Sequence, residues 1–250
     1  MKSLIFCTSY VSDSDAWQSR YQRWLDYYED FPIDAVKKIM IDDGSPWLPP
    51  SDIIKTVSAT TPLASVDDKN LIVHFDNNLG RQSVKDYPGW WRSFFHSIEI
   101  AKELGVDKII HIESDAFILT ERLVDFINQT RTGWHVLWTE RHNFPETALQ
   151  VICRDQFENF ENFKQKNSAL HFPDFAEHVL PFTDVHREFK GDRYSEFRRN
   201  RWIFRSKKFH FIPIFNWNFF LVQIPKDADF VTQGVPRQQF EYRRGALPTR

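Results

Sequence analysis

The sequence predicts an α/β protein with a mostly parallel central sheet flanked by helices. Short apolar runs, typical of strands buried on both faces, alternate along the first half with longer stretches of helical period. A polar cluster directly follows each of these runs. With 250 residues, 42% of them hydrophobic and 16% aromatic, the chain can bury a sizeable core. We treat it as a single domain with two halves, about 1–130 and about 131–250, of which the second is less regular.

Strands of the first half are predicted at the apolar runs, at 3–10, 37–41, 70–75 and 108–112. Ser12 or Asp13 can cap a first helix, and Pro88 opens a second helix that ends before Gly105. Thr120 caps a short third helix. Because helices separate the strands, neighbouring strands are expected to run parallel, with helices on both faces of the sheet.

Regular structure is sparser in the second half. Strands are predicted at 134–138 and 148–153, and a helix at 155–166, where phenylalanine recurs every third residue. From residue 171 onward the phenylalanine, histidine and arginine residues are scattered without a period. We therefore expect a part rich in loops.

Polar residues gather where the predicted strands end, at 8–9, 42–43, 76–81 and 113–115. The carboxyl ends of parallel strands meet at one edge of a sheet, and ligands of open α/β sheets bind there. The four clusters together therefore predict a binding site at this edge.

Glu113 and Asp115 lie one residue apart after the apolar run KIIHI. A carboxylate at the end of a buried strand is costly unless a partner offsets its charge. A divalent cation such as Mg²⁺ or Mn²⁺ is one such partner, because hard cations take carboxylate oxygens as ligands. A nearby arginine is another, and the pattern leaves both open.

Two other stretches, IDDGS and NNLGR, carry candidate binding residues. Asp42 or Asp43 can accept hydrogen bonds from a base N–H or a ribose hydroxyl, or can serve only the geometry of a turn. Arg81 can bind a phosphate or neutralise a carboxylate, or can lie at the surface. The glycine of NNLGR has no repeats around it, so this loop is not a P-loop.

Basic residues are concentrated near the end of the chain. The net charge is −2, yet the residues after 186 include 14 basic and 6 acidic ones, a net charge of +8. Most of this excess lies in 187–208, near Trp202 and Phe204, and it favours either an anionic partner or a solvated face. Nucleic acid is disfavoured, because residues 1–186 carry a net charge of −10 and no RNA-binding runs occur.

The cysteines and the apolar runs bear on the compartment. Cys7 and Cys153 lie in strand-like runs and do not make a disulfide framework, which fits a reducing environment. The first residues read as a strand and not as a secretory leader, and no run of apolar residues is long enough to span a membrane. A cytoplasmic protein is therefore predicted.

Together, TSY, IDDGS, N-x-GR and ESDAF resemble the GT-A glycosyltransferases that use nucleotide-sugar donors, near the broad family 2 type. The resemblance covers about residues 3–165, and IDDGS is its most specific part. Glu113 departs from the family, which usually has Asp-x-Asp at this place. The resemblance implies a Rossmann-like GT-A fold and the transfer of a sugar from a nucleoside diphosphate, UDP by family frequency, to an acceptor hydroxyl. The first half would bind the donor and the second half the acceptor.

The resemblance also implies roles for particular residues. The donor would be held by seven of them: Thr8, Ser9, Asp42, Asp43, Arg81, Glu113 and Ser114. Asp115 would bind Mn²⁺ or Mg²⁺, and a histidine of the second half, His210 in our prediction or else His186, would complete the ligands.

An inverting enzyme of this family would also need a general base, whereas a retaining enzyme would not. Asp174, Glu177 and Asp184 are the candidates. Glu177 is preferred because its apolar neighbours predict a partly apolar pocket, which can raise the pKa of a base. The alternative is that Glu177 is an ordinary surface glutamate.

The predicted acceptor is a glycan or a lipid-linked glycan of polysaccharide biosynthesis. The basic, aromatic C-terminal region would then touch an anionic membrane at its inner face. Two other functions remain open: a nucleotidyltransferase of similar fold, and a non-catalytic nucleotide-binding module. Nucleotidyltransferases usually carry a glycine-rich basic loop after the first strand, where this chain reads TSYVSDSD.

Overall fold

The computed structural model describes residues 1–83, 85–193, 223–236 and 238–245. The predicted metal ligand His210 lies outside these ranges, as does most of the basic segment 187–208 with Trp202 and Phe204. In the described part of the chain, no helix is long and apolar enough to cross a membrane.

The described residues contain a large central sheet and a small one. The strands are β1 (Ser3–Ser9), β2 (Lys37–Asp42), β3 (Lys55–Ser58), β4 (Asn70–His74), β5 (Lys108–Ile112), β6 (Phe117–Ile118), β7 (Trp134–Thr139), β8 (Phe144–Cys153), β9 (Asp184–His186), β10 (Gly191–Arg193) and β11 (Phe230–Thr232). The central sheet has the order β3-β4-β2-β1-β5-β8-β7-β9, and the small sheet has the order β10-β11-β6. From β3 to β5 all neighbours are parallel, whereas β8 is antiparallel to β5 and β7. The central sheet is mostly parallel, as predicted.

Helices flank this sheet. A helical segment follows β1 and consists of α1 (Ser14–Ala16), a π-helical stretch (Trp17–Gln22) and α2 (Arg23–Tyr28). The other helices are α3 (Pro88–Glu103), α4 (Glu121–Gln129), α5 (Phe157–Lys166) and α6 (Ala176–Val179), and single 3₁₀ turns lie at Leu63–Ser65 and Arg154–Gln156.

The central sheet is buried on both faces, as its continuous apolar runs predict. Successive residues of β1 face opposite ways: Ile5 joins an apolar cluster with Trp24, and Phe6 joins another with Phe94 of α3. All four side chains are fully buried. Each contributes roughly 1.5–3 kcal/mol through burial, so the two layers of helices stabilise the strands that carry the polar edge.

Two of the predicted helix-end residues have the expected role, and a third does not. Asp13 accepts a hydrogen bond from the N–H of Ala16 (2.8 Å) and so caps the first helical segment. Gly105 has a φ of +61° after α3, a conformation that favours glycine. Thr120 precedes α4 but makes no side-chain cap, which corrects the prediction. Its hydroxyl donates to Asp229 instead (2.6 Å), because the small sheet brings that carboxylate beside it.

Two strands differ from the sequence prediction. β3 is absent from the prediction because it is a short strand at the sheet edge, with exposed and half-buried side chains and no apolar run. β8 begins at residue 144 and not at 148. Because β8 is antiparallel to β5 and pairs with it only from Leu149 onward, its first residues, including Glu146, extend past the carboxyl end of β5.

Candidate active site

A cleft of about 930 Å³ opens at the carboxyl edge of the parallel strands. Seven residues predicted for the site line it: Thr8, Ser9, Asp43, Arg81, Glu113, Asp115 and Glu177. A second cleft of about 730 Å³ adjoins it and is lined by Ser114. Arg20, Arg81 and Asp115 line both clefts. The edge predicted from the strand ends therefore holds a cavity of the size typical of small-molecule sites.

Glu113 follows β5 and is held by side chains of β1, β5 and α3. Its Oε1 accepts hydrogen bonds from Thr8 (2.8 Å), from His111 (3.0 Å) and from the indole N–H of Trp90. Burial raises the pKa of Glu113, but His111 and the indole donor lower it by more, so its pKa lies below the usual value. Glu113 is therefore an anion bound by the protein's own donors.

Asp115, two residues later, pairs with an arginine. Nη2 of Arg20, in the π-helical stretch, lies 3.1 Å from Oδ2 of Asp115. Nε of Arg20 also donates to Oγ of Ser114 (2.6 Å). Burial raises the pKa of Asp115, an effect that the guanidinium partly offsets. Of the two partners that the sequence left open, the fold supplies an arginine to Asp115.

The described residues alone do not make up a divalent-cation site. No three histidine, cysteine, aspartate or glutamate side chains in the described ranges are placed to hold one ion. Asp115 already faces a guanidinium, and Oε1 of Glu113 already accepts three hydrogen bonds. The predicted Mn²⁺ or Mg²⁺ stays a prediction, because its predicted ligand His210 lies outside the described ranges.

Three alternative candidates are not among the residues that line the clefts. Asp184 and His186 belong to β9, at the outer edge of the central sheet. Asp174 pairs with Lys85 (3.0 Å), and both side chains are exposed. None of the three lines either cleft. The geometry thus favours Glu177 among the candidate bases and disfavours His186 as a ligand to a metal at Asp115.

Asp42 lies beneath the cleft and not on its wall. Its fully buried carboxylate accepts hydrogen bonds from the hydroxyl of Ser9 (3.2 Å) and from the backbone N–H of Ser45 (2.9 Å). It also lies 2.7 Å from Nδ1 of His74. Asp42 lines neither cleft, so the predicted contact with a nucleoside is not supported by this geometry. Its role here is to join the ends of β1, β2 and β4.

Asp43 organises the loop that leads to Arg81. Its carboxylate accepts hydrogen bonds from Arg92 of α3, from Nδ2 of Asn78 (2.9 Å) and from the N–H of Gly80 (2.8 Å). Burial raises its pKa, and these donors partly offset the effect. A Cβ on Gly89 would lie 1.9 Å from this carboxylate, so only glycine fits there. Asp43 touches the cleft, but its oxygens are largely engaged by the protein.

Arg81 brings a positive charge to the wall of both clefts. Its Nε donates to the carbonyl of Ser83 (2.7 Å), and its guanidinium lies 6.0 Å from the ring centre of Tyr87. These contacts hold the base of the loop after β4. The predicted phosphate contact of Arg81 stays a prediction.

Glu177, the predicted general base, belongs to a charged cluster with two residues that sequence reasoning missed. Arg193 of β10 places Nη2 2.6 Å from Oε1 of Glu177 and Nε 2.9 Å from Oε2 of Glu146. Glu146 is 2% exposed and also accepts a hydrogen bond from Thr232 (2.9 Å). These residues belong to three different elements, β8, α6 and β10, so no local pattern pairs them.

The chain resembles a solved glycosyltransferase, GlyE, in fold and not in sequence. No protein family and no curated protein matches it by sequence. The apo form of the glycosyltransferase GlyE from Streptococcus pneumoniae TIGR4 superposes with a TM-score of 0.50 and 9% identity, over 96% of this chain and 56% of GlyE. A glycosyltransferase involved in glycosylation of the major capsid of PBCV-1 gives a TM-score of 0.45 and 10% identity, over 93% of each chain. The chain thus spans about half the length of GlyE and shares its fold.

Proposed function

We propose that the protein is a GT-A glycosyltransferase of the family 2 type, which transfers a sugar from a nucleoside diphosphate, with UDP favoured, to an acceptor hydroxyl. One observation carries the proposal. Seven residues that the sequence assigns to such a site, from five separate stretches of the chain, line a single cleft. Its volume of about 930 Å³ suits a ligand of nucleotide-sugar size.

The donor is proposed to lie along the ends of β1 and β5. Thr8 and Ser9 line the cleft at the end of β1, and the exposed ring of Tyr10 stands beside them. Arg81 offers its charge from the opposite loop, where the phosphates of a donor would meet it. Ser114 lines the adjoining cleft and is proposed to contact the same ligand.

Glu177 is proposed to act as the general base of an inverting reaction. It lines the cleft, and Arg193 fixes its carboxylate from one side. In this reaction Glu177 takes the proton of the acceptor hydroxyl while the hydroxyl oxygen attacks the anomeric carbon. The bond from that carbon to the diphosphate oxygen breaks, and its electron pair leaves with the diphosphate. The proposed acceptor is a glycan or a lipid-linked glycan.

Calorimetric titration of UDP, GDP, CDP and dTDP, each with EDTA and with Mn²⁺, tests the donor class. We expect one nucleotide to bind in at least one of the two buffers. If none binds in either buffer, the proposal is wrong. If the protein instead joins a nucleoside triphosphate to a sugar phosphate with release of pyrophosphate, it is a nucleotidyltransferase.

The variant Glu177→Gln tests the base. Nuclear magnetic resonance can follow the release of sugar from the nucleotide-sugar that binds, with water or added glycans as acceptor. We expect the variant to bind the donor as the wild type does and to release sugar at a rate reduced roughly 10²- to 10⁴-fold. Glu158→Gln, at an exposed glutamate of α5, is the matched control. An unchanged rate in Glu177→Gln would exclude Glu177 as the base.

A further inference from the structure

Arg20 occupies the border between the two clefts, where the sequence predicted a metal ion. It lines both clefts together with Asp115. Its side chain is 44% exposed, although Nη2 and Nε are held by Asp115 and Ser114. One edge of the guanidinium is therefore anchored, while the side chain stays accessible from the cavity.

The backbone around Arg20 is built to hold it there. Arg20 lies in the π-helical stretch (Trp17–Gln22), and π-helical turns are frequent at functional sites. Trp17 and Tyr21 are buried on either side of it. The hydroxyl of Tyr21 accepts a hydrogen bond from the N–H of Tyr10 (3.0 Å) and donates to its carbonyl (2.9 Å), which ties the helix to the end of β1. Arg20 is thus carried by a fixed element and not by a loop.

The charges of the main cleft leave few groups to bind an anion. Its acids include Glu113, Asp115 and Glu146. Arg193 is engaged by two carboxylates, and the other two arginines that line the cleft are Arg20 and Arg81. A diphosphate brings further negative charge, so it needs a cationic group nearby. Arg20 meets this need with a planar donor edge, a geometry that matches phosphate oxygens.

We propose that Arg20 binds the diphosphate of the donor directly, in the place of the divalent cation that the sequence predicts, and that Asp115 orients Arg20. This inference rests on the proposed function. Asp115 would then be a positioning residue, since it acts through the guanidinium. As the bond from the sugar to the diphosphate breaks, Arg20 would face the negative charge that develops on the departing oxygen.

The test compares nucleotide binding with and without metal. UDP and the other three diphosphates are titrated into the wild type and Arg20→Ala, first in EDTA and then with Mn²⁺. We expect the wild type to bind in EDTA, with a change of less than about threefold on adding Mn²⁺. We expect Arg20→Ala to bind roughly 10- to 100-fold more weakly, the loss of a hydrogen bond to a charged group. Arg154→Ala is the matched control, because Arg154 pairs with Asp107 at the opposite edge of the sheet.

Two more variants separate this role from folding and from metal binding. Arg20→Lys keeps the charge next to Asp115 but loses the planar guanidinium. This variant should therefore fold, but it should bind the nucleotide several-fold more weakly than the wild type does. Asp115→Asn removes the carboxylate that a metal would need and keeps the guanidinium, so binding in EDTA should persist. Circular dichroism checks that each variant is folded.

The possible results keep the two proposals apart. If the wild type binds a nucleotide only with Mn²⁺, and Asp115→Asn abolishes that binding while Arg20→Ala does not, the role of Arg20 is refuted and the transferase proposal stands. If no diphosphate binds in either buffer, the proposed function fails and the role of Arg20 fails with it.

Discussion

Replacing Asp43 by alanine should lower stability because Asp43 clamps the loop after β4 onto α3. The carboxylate is 7% exposed and pairs with Arg92, which is 15% exposed. Breaking a buried ion pair by removing one partner costs about 3–5 kcal/mol. Arg92 keeps a hydrogen bond to Oδ1 of Asn77 (2.8 Å) and its stacking on the ring of Phe75 (4.1 Å), so the lower end applies. We expect a loss of about 3 kcal/mol in the free energy of unfolding.

Thermal unfolding followed by circular dichroism measures this loss. For a domain of this size each kcal/mol lowers the midpoint by roughly 2–4 °C, so Asp43→Ala should unfold about 6–12 °C below the wild type. Asp76→Ala, at an exposed aspartate of the same loop, should stay within about 2 °C. The double variant Asp43→Ala/Arg92→Met should recover part of the loss, because no buried charge is left unpaired. If Asp43→Ala unfolds like the wild type but binds nucleotide more weakly, Asp43 contacts the ligand, and the proposed stabilising role of its pair with Arg92 is refuted.

Three further predictions concern stability. Arg193→Ala should cost about 3 kcal/mol in urea unfolding, because it leaves the buried carboxylate of Glu146 without its cation, and adding Glu146→Gln should restore part of it. Gly89→Ala should cost about 2 kcal/mol, because its Cβ would meet the carboxylate of Asp43 at 1.9 Å. A hydrogen bond with His96 lowers the pKa of Glu99 to about 2 from its ordinary 4.5. The stabilisation from Glu99 is therefore complete above pH 4.5 and is lost between pH 4.5 and about 2. Since the side chain is 54% exposed, the difference between wild type and Glu99→Gln in urea should be only about 1 kcal/mol at pH 7 and should vanish near pH 2.

The position of the binding site at the carboxyl edge of the sheet could be predicted from the sequence because the signals that mark the strand ends are local. Residues 37–41 and 108–112 read as strands because they are buried on both faces, and a buried run ends where polar groups begin. Parallel pairing then brings those ends together without further information. This reasoning predicts Thr8, Glu113 and Asp115 for the site, and each lines the cleft.

The partners of these residues could not be predicted because they come from distant parts of the chain. Arg20 meets Ser114 across 94 residues of sequence, and nothing in WQSRYQ distinguishes it from a surface arginine. Arg193 and Glu146 meet only because β8 runs antiparallel to β5 and extends past its end. The sequence predicts Asp42 in the cleft because it is an aspartate at a strand end, whereas the folded chain surrounds it with its own donors.

The two acids that end β5 are divided between the two faces of the sheet. Glu113 faces the side of α3, where Trp90 and Thr8 donate to it. After it the chain turns, with the N–H of Ala116 donating to the carbonyl of Glu113 (2.8 Å), and Asp115 reaches the helical segment on the other side through Arg20. Divided in this way, the two acids contact different partners, Glu113 the donors on the side of α3 and Asp115 the guanidinium of Arg20. A cation bound at Asp115 would have to displace or share the guanidinium, which is why nucleotide binding by Asp115→Asn in EDTA discriminates between the two roles.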